Sequence, residues 1–256
     1  MTSRPWTVPL GTTASISVPK GGSGALIYYQ GYSEPETAAF IQSFLKPGMV
    51  FYDVGAHIGE YVLLAAAAVT PSGFVHAFEP SPAMIEILES NVAGNRHTNV
   101  IVNETAVSDR EGTCTFDECV EPAVSSMRSG SRFEGGSGRT LRMSRTVKAI
   151  TLDHYAEGHG DRVDLIKIDV EGAELQVLQG ATGILSRSPE RTPCLIVEYS
   201  VENYSRFGYS GAEVVSLLER HGFGVWQIEG GRLESFDPQA SRATTVNLIA
   251  SKRPLA

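Results

Sequence analysis

The chain has 256 residues, of which 42% are hydrophobic, and it carries a formal net charge of −8 at pH 7. This length and apolar content predict a single domain over residues 1–256 with a full hydrophobic core. The acidic balance argues against a nucleic-acid partner, and the sequence shows neither an apolar run of membrane-spanning length nor a secretion signal at its start, so we expect a cytoplasmic protein with no membrane contact.

The N-terminal lead-in, residues 1–47, has two parts. Residues 1–30 read as irregular or β-rich. From Glu34 to Lys46, apolar residues recur at helical spacing and a Pro-Gly pair follows, so a helix is predicted that ends there.

Strands and helices then alternate along the chain. The expected elements are strands over Val50–Val54, Phe74–Glu79 and Val100–Asn103, and helices over Gly59–Val69 and from Ser81 to about Gly94. This alternation predicts a parallel sheet wrapped by helices.

The segment from Val107 to Ile150 lacks a long helical period and reads as an inserted hairpin region. Short strands are expected over Thr113–Phe116 and Arg145–Ile150. Residues 128–145 are rich in Gly, Ser and Arg. They are either a solvated loop or a mobile lid that becomes ordered when an acceptor binds, and the sequence leaves both interpretations open.

The regular pattern resumes in the last third of the chain. The expected elements are strands over Asp164–Val170, Cys194–Tyr199, Phe223–Ile228 and Thr245–Ala250, and helices over Ala173–Leu185 and Ala212–His221. These elements extend the same sheet.

A glycine turn follows the first strand of the alternation. The sequence DVGAHIGEY places Asp53 just before Gly55, Ala56, His57 and Gly59. A strand–turn–helix unit of this kind directs backbone N–H groups towards a bound ligand. A dinucleotide turn usually carries a further glycine in its middle, which is absent here, and Asp53 would repel a pyrophosphate. The turn therefore favours S-adenosylmethionine, which has an ammonium group and no phosphate, over NAD(P).

Glu79 ends the second strand and is the expected ribose ligand. An acid at this place can accept hydrogen bonds from both ribose hydroxyls. Pro80 and Ser81, which follow it, are expected to contact the cofactor as well.

Several motifs that follow one another in order carry a family resemblance. They are DVGAHIGEY, VHAFEPSP, ETAVSDREGT, ITLDHY, LIKIDVEGAELQVLQGA and LIVEYS. Over roughly residues 34–200 the chain resembles the FkbM-type S-adenosylmethionine-dependent methyltransferases. The resemblance implies an α/β fold with a three-layer, Rossmann-like class I methyltransferase sheet that is mostly parallel with an antiparallel last strand. It also implies transfer of a methyl group to a hydroxyl of a sugar or natural product.

The resemblance bears on individual residues too. It implies that the adenine lies near Thr105 and Ala106. His57 departs from the family, which usually has Asn at this position, so its contact with cofactor, with substrate or with neither stays open.

Acidic residues at two neighbouring strand ends are the candidate catalytic groups. The strand DLIKIDV delivers Asp169, which also belongs to the expected cofactor site, and the strand CLIVEYS delivers Glu198 to the same edge of the sheet. One carboxylate could act as a general base on the acceptor hydroxyl. Alternatively, Asp169 and Glu198 together could hold Mg²⁺ or Mn²⁺, which would favour the alkoxide. Lys167 is a candidate for catalysis or for an ion pair with Asp169.

The sequence thus predicts an O-methyltransferase that acts on a hydroxyl of a sugar, an oligosaccharide or a glycosylated natural product. The alternatives are a polyketide-type acceptor, an NAD(P)-dependent oxidoreductase and a cofactor-binding module without catalysis. A homodimer is one assembly that the sequence permits.

Overall fold

The computed structural model describes residues 5–12, 14–18, 23–70, 72–119, 125–127, 141–239 and 244–255. The lead-in forms a hairpin and two helices: β1 (Trp6–Leu10), β2 (Ala14–Val18), α1 (Ser23–Gln30) and α2 (Pro35–Phe44). The hairpin and α2 agree with the prediction, whereas α1 was not expected. Its sequence SGALIYYQ shows no clear apolar face, and Ile27 is its fully buried apolar side chain.

The first half of the central sheet follows the predicted alternation. Its elements are β3 (Val50–Val54), α3 (Glu60–Val69), β4 (Phe74–Glu79), α4 (Pro82–Gly94) and β5 (Val100–Glu104). Pro82 begins α4 because its fixed φ suits the first helical position and the N–H that it lacks would have no partner there.

The inserted region forms a small sheet of its own. Its strands are β6 (Ala106–Val107), β7 (Gly112–Cys119), β8 (Ser126–Met127) and β9 (Leu141–Ile150), in the order β6-β9-β7-β8. The two predicted strands lie within β7 and β9. Residues 128–140 of the predicted lid lie outside the described residues, and residues 141–145 begin β9.

The last third of the chain completes the central sheet. Its elements are α5 (Leu152–Gly158), β10 (Leu165–Ile168), α6 (Glu174–Gln179), α7 (Thr182–Leu185), β11 (Cys194–Ser200), α8 (Val201–Phe207), α9 (Gly211–Arg220), β12 (Gly224–Glu229), β13 (Arg232–Ser235) and β14 (Thr245–Ser251). The predicted helix over Ala173–Leu185 is wrong as one element, because it divides at Gly180. A Cβ at Gly180 would overlap the carbonyl oxygen of Ser108, so the chain passes too close to the inserted region for a side chain. Three elements, α5, α8 and β13, were not predicted.

The central sheet has the strand order β13-β12-β14-β11-β10-β3-β4-β5. The five strands from β11 to β5 are parallel to one another, and β14 runs antiparallel between β11 and β12. The strand order reverses between β3 and β10, which is where ligands bind in open α/β sheets. The predicted fold class is confirmed, and β13 adds an antiparallel edge strand that the sequence pattern did not show.

Helices cover both faces of this sheet. Tyr52 and Leu195 belong to the core on one face, with α5, α6 and α9. Phe51 and Ile196 belong to the core on the other face, with α2, α3 and α4. Within the part of the chain that the structure describes, no helix combines the length and the apolar character needed to cross a bilayer.

Candidate active site

A cavity of about 290 Å³ opens at the carboxyl ends of the central strands, at the point where their order reverses. Its walls come from the turn after β3, the ends of β4, β10 and β11, the inserted sheet and the segment before α2. The volume is at the lower end of the range for small-molecule sites, about 300–1,000 Å³. Residues that lie far apart in the chain, from Leu26 to Glu198, thus meet at one concave site.

The glycine turn between β3 and α3 forms the floor of this cavity. The backbone N–H groups of Gly55 and Ala56 donate to the carbonyl oxygen of Phe78, at 3.0 Å each. Gly55 has a φ of +88°, and a Cβ there would overlap the carbonyl oxygen of Asp169. The turn is therefore held against the end of β4 on one side and the end of β10 on the other.

His57 lies in this turn and lines the cavity, with a φ of +48°. Its Nε2 atom is buried and has no hydrogen-bond partner among the described residues. Burial lowers the pKa of His57 to about 4; the charge of Lys167 adds to this effect and that of Asp169 opposes it. The imidazole is therefore neutral at pH 7, with a ring nitrogen left for a ligand.

Glu79 is fixed in orientation by the backbone. Its Oε2 atom accepts the N–H of His57 at 2.9 Å, and its Oε1 atom accepts the N–H of Ser81 at 2.8 Å. Burial raises the pKa of Glu79 to about 7; the nearby carboxylates Asp53 and Glu118 add to the increase, and the two N–H donors oppose it. Each oxygen keeps a further lone pair, so the carboxylate can still accept two hydroxyl donors from a ligand.

The structure places most of the predicted cofactor residues on the cavity wall. These are Gly55, Ala56, His57, Glu79, Pro80, Thr105, Ala106 and Asp169. The lining formed by the described residues does not include Asp53, Gly59 or Ser81. Gly59 caps α3 and faces Leu88, while the hydroxyl of Ser81 donates to Glu118.

Asp53 lies beneath the cavity floor rather than on it. It is 1% exposed, and its Oδ2 atom has no hydrogen-bond partner among the described residues. Burial raises the pKa of Asp53 to about 6; Lys167 opposes this increase and Asp169 adds to it. A buried side chain below the cavity surface is not placed for the direct contact with a cofactor ammonium that was expected of Asp53.

Lys167 pairs with Asp169 at the end of β10. Its Nζ atom donates to Oδ2 of Asp169 at 2.7 Å and lies 4.7 Å from the centre of the Tyr61 ring. Burial acts to lower the pKa of Lys167, but the carboxylates of Asp169, Asp53 and Glu34 outweigh it and hold the pKa above its usual value. A lysine that stays protonated cannot accept a proton, so Lys167 acts here as the ion-pair partner that holds the Asp169 carboxylate in place.

Three carboxylates converge at this edge. Ile168 of β10 is in register with Val197 of β11, so Asp169 and Glu198 come side by side as predicted. Glu171 joins them, and one carboxylate oxygen from each of the three lies within 4.8 Å of the other two. Burial, together with the charges of Asp169 and Glu171, raises the pKa of Glu198 well above its usual value. A set of carboxylate oxygens is the ligand type that Mg²⁺ and Mn²⁺ prefer, so the residues present fit such an ion.

The supporting residues were missed in the sequence. Asn203 on α8 donates from Nδ2 to Glu171 at 3.0 Å and to Glu198 at 3.5 Å. Glu174, fully buried at the start of α6, accepts the N–H groups of Val170 and Gly172 at 2.9 and 3.3 Å. It thereby shapes the turn in which Glu171 has a φ of +58°. Only an acid in the first turn of a predicted helix signalled Glu174, and nothing signalled Asn203.

A second polar group lines the cavity where the lead-in meets α3. Glu60 accepts the backbone N–H of Ser33 at 2.6 Å and its hydroxyl at 2.7 Å. The hydroxyl of Tyr61 donates to Glu34 at 2.9 Å. Burial raises the pKa of Glu60 to about 7, against the two hydrogen bonds from Ser33. These contacts fix the lead-in as a wall of the cavity, which the sequence did not predict.

Comparison with known proteins identifies the family. Residues 53–225 match the model of the methyltransferase FkbM domain. The chain is 30% identical over 204 residues to the 31-O-demethyl-FK506 methyltransferase FkbM of Streptomyces tacrolimicus, which covers 71% of this chain and 75% of that protein. It is 30% identical over 137 residues to the hexuronic acid methyltransferase AglP of Haloferax volcanii, covering 53% of this chain and 51% of that protein.

A solved structure agrees with this fold. The crystal structure of methyltransferase FkbM from Methylobacillus flagellatus matches with a TM-score of 0.50 at 16% identity, covering 90% of this chain and 54% of that one. The ends of β3, β4 and β10 build the site of this protein, and the family model spans more than half of its chain. The protein therefore belongs to the FkbM family of S-adenosylmethionine-dependent methyltransferases.

Proposed function

We propose that this protein transfers a methyl group from S-adenosylmethionine to a hydroxyl of a sugar, an oligosaccharide or a glycosylated natural product. The observation that carries the proposal is the convergence of Asp169, Glu171 and Glu198 in the same cavity as Glu79 and the glycine turn. The names of the two relatives support it, because one refers to an O-demethyl substrate and the other to a hexuronic acid. Membership in a methyltransferase family sets aside the NAD(P)-dependent oxidoreductase.

The residues on the cavity wall suit the cofactor. When bound, S-adenosylmethionine supplies an electrophilic methyl group on a positively charged sulfonium. Glu79 would accept the two ribose hydroxyls, since its carboxylate is already oriented by two backbone N–H donors. Thr105 and Ala106, with Phe116 and Met127 from the inserted sheet, form a mostly apolar wall suited to adenine. The buried, unpaired Nε2 of His57 offers a further polar contact.

The chain's own task at the reacting end is to position the acceptor and remove its proton. An alkyl hydroxyl is barely ionised at neutral pH, so a group must withdraw the proton as the new C–O bond forms. Asp169 is held in place by Lys167 at the end of β10, which makes it the candidate base whose position is best defined. A divalent cation held by Asp169, Glu171 and Glu198 would instead bind the acceptor oxygen and lower its pKa. Either way, most of the rate enhancement would come from holding the hydroxyl in line with the methyl group.

An aromatic surface beside the cavity mouth suits a carbohydrate acceptor. Leu26 of α1 lines the cavity, and Tyr29, three residues later on the same side of the helix, is 82% exposed. The apolar C–H face of a pyranose can pack on such a ring while its hydroxyls stay solvated. A polyketide would use the same surface, so it remains the second candidate.

The test is methyl transfer from labelled S-adenosylmethionine to a panel of mono- and disaccharides and macrolides, with the methylated atom located by mass spectrometry. Methylation of a sugar hydroxyl is the expected result. Methylation only at nitrogen or carbon would contradict the proposal, and methylation of macrolides alone would move it to the polyketide class.

The role of the metal is tested with the same assay after EDTA treatment. Loss of activity and its rescue by Mg²⁺ or Mn²⁺ is expected if the three carboxylates hold an ion. Full activity in EDTA, with Asp169→Asn and Glu198→Gln both inactive, would leave the general-base mechanism. Full activity of Glu198→Gln would remove Glu198 from the site. Glu202→Gln, an exposed acid on α8, is the matched control for loss of one negative charge.

A further inference from the structure

The inserted sheet forms part of the cofactor cavity. Phe116 of β7 and Met127 of β8 are paired across the two strands, and both line the cavity. Phe116 also pairs with Arg145 of β9. The insertion therefore supplies part of the cavity wall from β7 and β8, and β9 pairs with that wall.

The same face of β7 contacts Ser81, the residue that orients the Glu79 carboxylate. Glu118 lies two residues after Phe116, so both side chains point to one side of the strand. Glu118 is 5% exposed, and its Oε1 atom accepts the hydroxyl of Ser81 at 3.0 Å. The backbone N–H of Ser81 donates in turn to Glu79 at 2.8 Å.

Arg145 completes this chain of contacts from β9. Its Nε atom lies 3.0 Å from Oε1 of Glu118, and its Nη2 atom donates to Oε2 at 3.2 Å. A buried carboxylate that faces a guanidinium on one side and a hydroxyl on the other has little freedom to rotate. The order Arg145–Glu118–Ser81–Glu79 therefore connects the inserted sheet to the carboxylate at the end of β4.

We propose that Glu118 and Arg145 are positioning residues for Glu79, acting through Ser81, and that the inserted sheet thereby tunes cofactor affinity. The inference rests on the proposed contact between Glu79 and the ribose hydroxyls. The inserted sheet then influences cofactor affinity as well as forming part of the cavity wall.

The charges around Glu79 give this proposal a distinctive signature. The groups that face it are the N–H donors of His57 and Ser81, the carboxylate of Asp53 from β3 and the carboxylate of Glu118 from β7. Glu104 is in register with Glu79 on β5, but its side chain is exposed. Burial, Asp53 and Glu118 together hold the pKa of Glu79 at about 7. Ribose hydroxyls donate hydrogen bonds, so they bind the ionised carboxylate, and affinity falls as the pH drops through this pKa.

Removing each partner should shift this dependence in opposite directions. Glu118→Gln removes a negative charge and leaves Arg145 uncompensated, so Glu79 ionises more readily. Arg145→Gln leaves the negative charge of Glu118 uncompensated, so Glu79 ionises less readily. The experiment measures the affinity for S-adenosylhomocysteine by calorimetry from about pH 5.5 to about pH 8.5, a range that brackets the pKa of Glu79.

Relative to the unmodified protein, Glu118→Gln should lose less affinity as the pH falls and Arg145→Gln should lose more. We expect each substitution to shift the pKa of Glu79 by about half a unit. The ratio of the affinity at about pH 6 to that at about pH 8 should then be roughly threefold higher in Glu118→Gln, and roughly threefold lower in Arg145→Gln, than in the unmodified protein. Ser81→Ala keeps the backbone N–H but removes the hydroxyl. Ser81→Ala should weaken binding at every pH. It tests the contact between Ser81 and Glu118 if either charge variant fails to fold.

Two controls separate this inference from the proposal on which it rests. Asp117→Asn removes a carboxylate from the adjacent position of β7, whose side chain lies on the other face and accepts from Ser144, and it should leave the pH midpoint unchanged. Glu79→Gln should reduce the pH dependence to the part that Glu60 and Asp53 cause; if binding is unaltered in that variant, the ribose assignment itself fails. If Glu79→Gln reduces the dependence but neither Glu118→Gln nor Arg145→Gln moves the midpoint, the positioning role is wrong while the ribose contact stands.

Discussion

Glu79 is oriented by the chain before any ligand arrives. Two backbone N–H groups hold its oxygens, and burial raises its pKa to about 7. A carboxylate held in this way does not have to give up side-chain freedom when it accepts two further hydrogen bonds. If Glu79 binds the ribose as proposed, the orientation of this one side chain would contribute to affinity as well as to specificity for a ribose.

Replacing Glu79 should weaken cofactor binding. We expect Glu79→Ala to reduce the affinity for S-adenosylhomocysteine by about 1.5–3 kcal/mol, the range for hydrogen bonds to a charged group. Calorimetry measures the change. Glu104→Ala, at the register position on β5 with an exposed side chain, is the control and should bind normally. An affinity within error of the unmodified protein would show that Glu79 does not hold the ribose.

Asn203 should matter for turnover rather than for cofactor binding. It donates to both Glu171 and Glu198, so its loss would let the two carboxylates move apart. We expect Asn203→Ala to lower kcat by about 10- to 100-fold, as removal of outer-shell partners does at comparable sites. The affinity for S-adenosylhomocysteine should stay the same. Glu202→Ala on the same helix is the control, and an unchanged kcat in Asn203→Ala would mean that the carboxylates do not need this contact.

The sequence predicted site residues where strand ends dictate position. Asp169 and Glu198 could be paired because β10 and β11 are adjacent and in register. The place of Glu171 could not be predicted, because it depends on a turn with φ of +58° that Glu174 shapes. Asn203 could not be found, since α8 has few apolar residues and its packing cannot be deduced from periodicity.

At the scale of elements, the predictable features were those with strong periodicity. Every strand of the central sheet except β13 is rich in apolar residues, and the predicted bounds of these strands agree with the structure within a few residues. The helix over Ala173–Leu185 failed because its apolar spacing continues past Gly180, where contact with Ser108 divides it. The short helix α5 and the edge strand β13 were missed because neither is long enough to show a period.

The turn between β3 and α3 depends on glycine at one position above all. Gly55 has a φ of +88°, and a Cβ there would overlap the carbonyl oxygen of Asp169. Gly55→Ala should therefore lower the free energy of unfolding by about 2–5 kcal/mol, from the left-handed backbone and the overlap together. Urea denaturation measures this loss. Because Asp169 must move, methyl transfer should fall as well.

Gly94 provides the matched control for this substitution. It ends α4, and a Cβ there would meet no atom within 4 Å. Gly94→Ala should leave the free energy of unfolding almost unchanged. If Gly55→Ala is as stable as Gly94→Ala, the close approach between the turn and β10 is not a constraint on the fold.

At the scale of the whole molecule, the cavity is a product of the complete topology. Ser33 and Glu34 come from the lead-in, Phe116 from the insertion and Glu198 from a late strand. Alternation of strands and helices was enough to predict the parallel sheet and the edge at which its ligands lie. It could not predict the walls, because the lead-in and the insertion reach the cavity through side-chain contacts such as Ser33 with Glu60 and Ser81 with Glu118.

A cavity built from distant parts of the chain predicts that the cofactor product stabilises the whole fold. Any ligand that binds only the folded state adds free energy of unfolding, and at a concentration of 100 times its Kd the increase is about 2.7 kcal/mol. For a domain of this size that corresponds to a rise in Tm of roughly 5–10 °C. S-adenosylhomocysteine should produce this rise, measured by calorimetric or fluorescence melting, whereas NAD⁺ at the same concentration should not. Glu79→Ala should need a correspondingly higher concentration of S-adenosylhomocysteine for the same shift. An equal shift with NAD⁺ would contradict the preference for a phosphate-free ligand, which the turn with Asp53 beneath it implies.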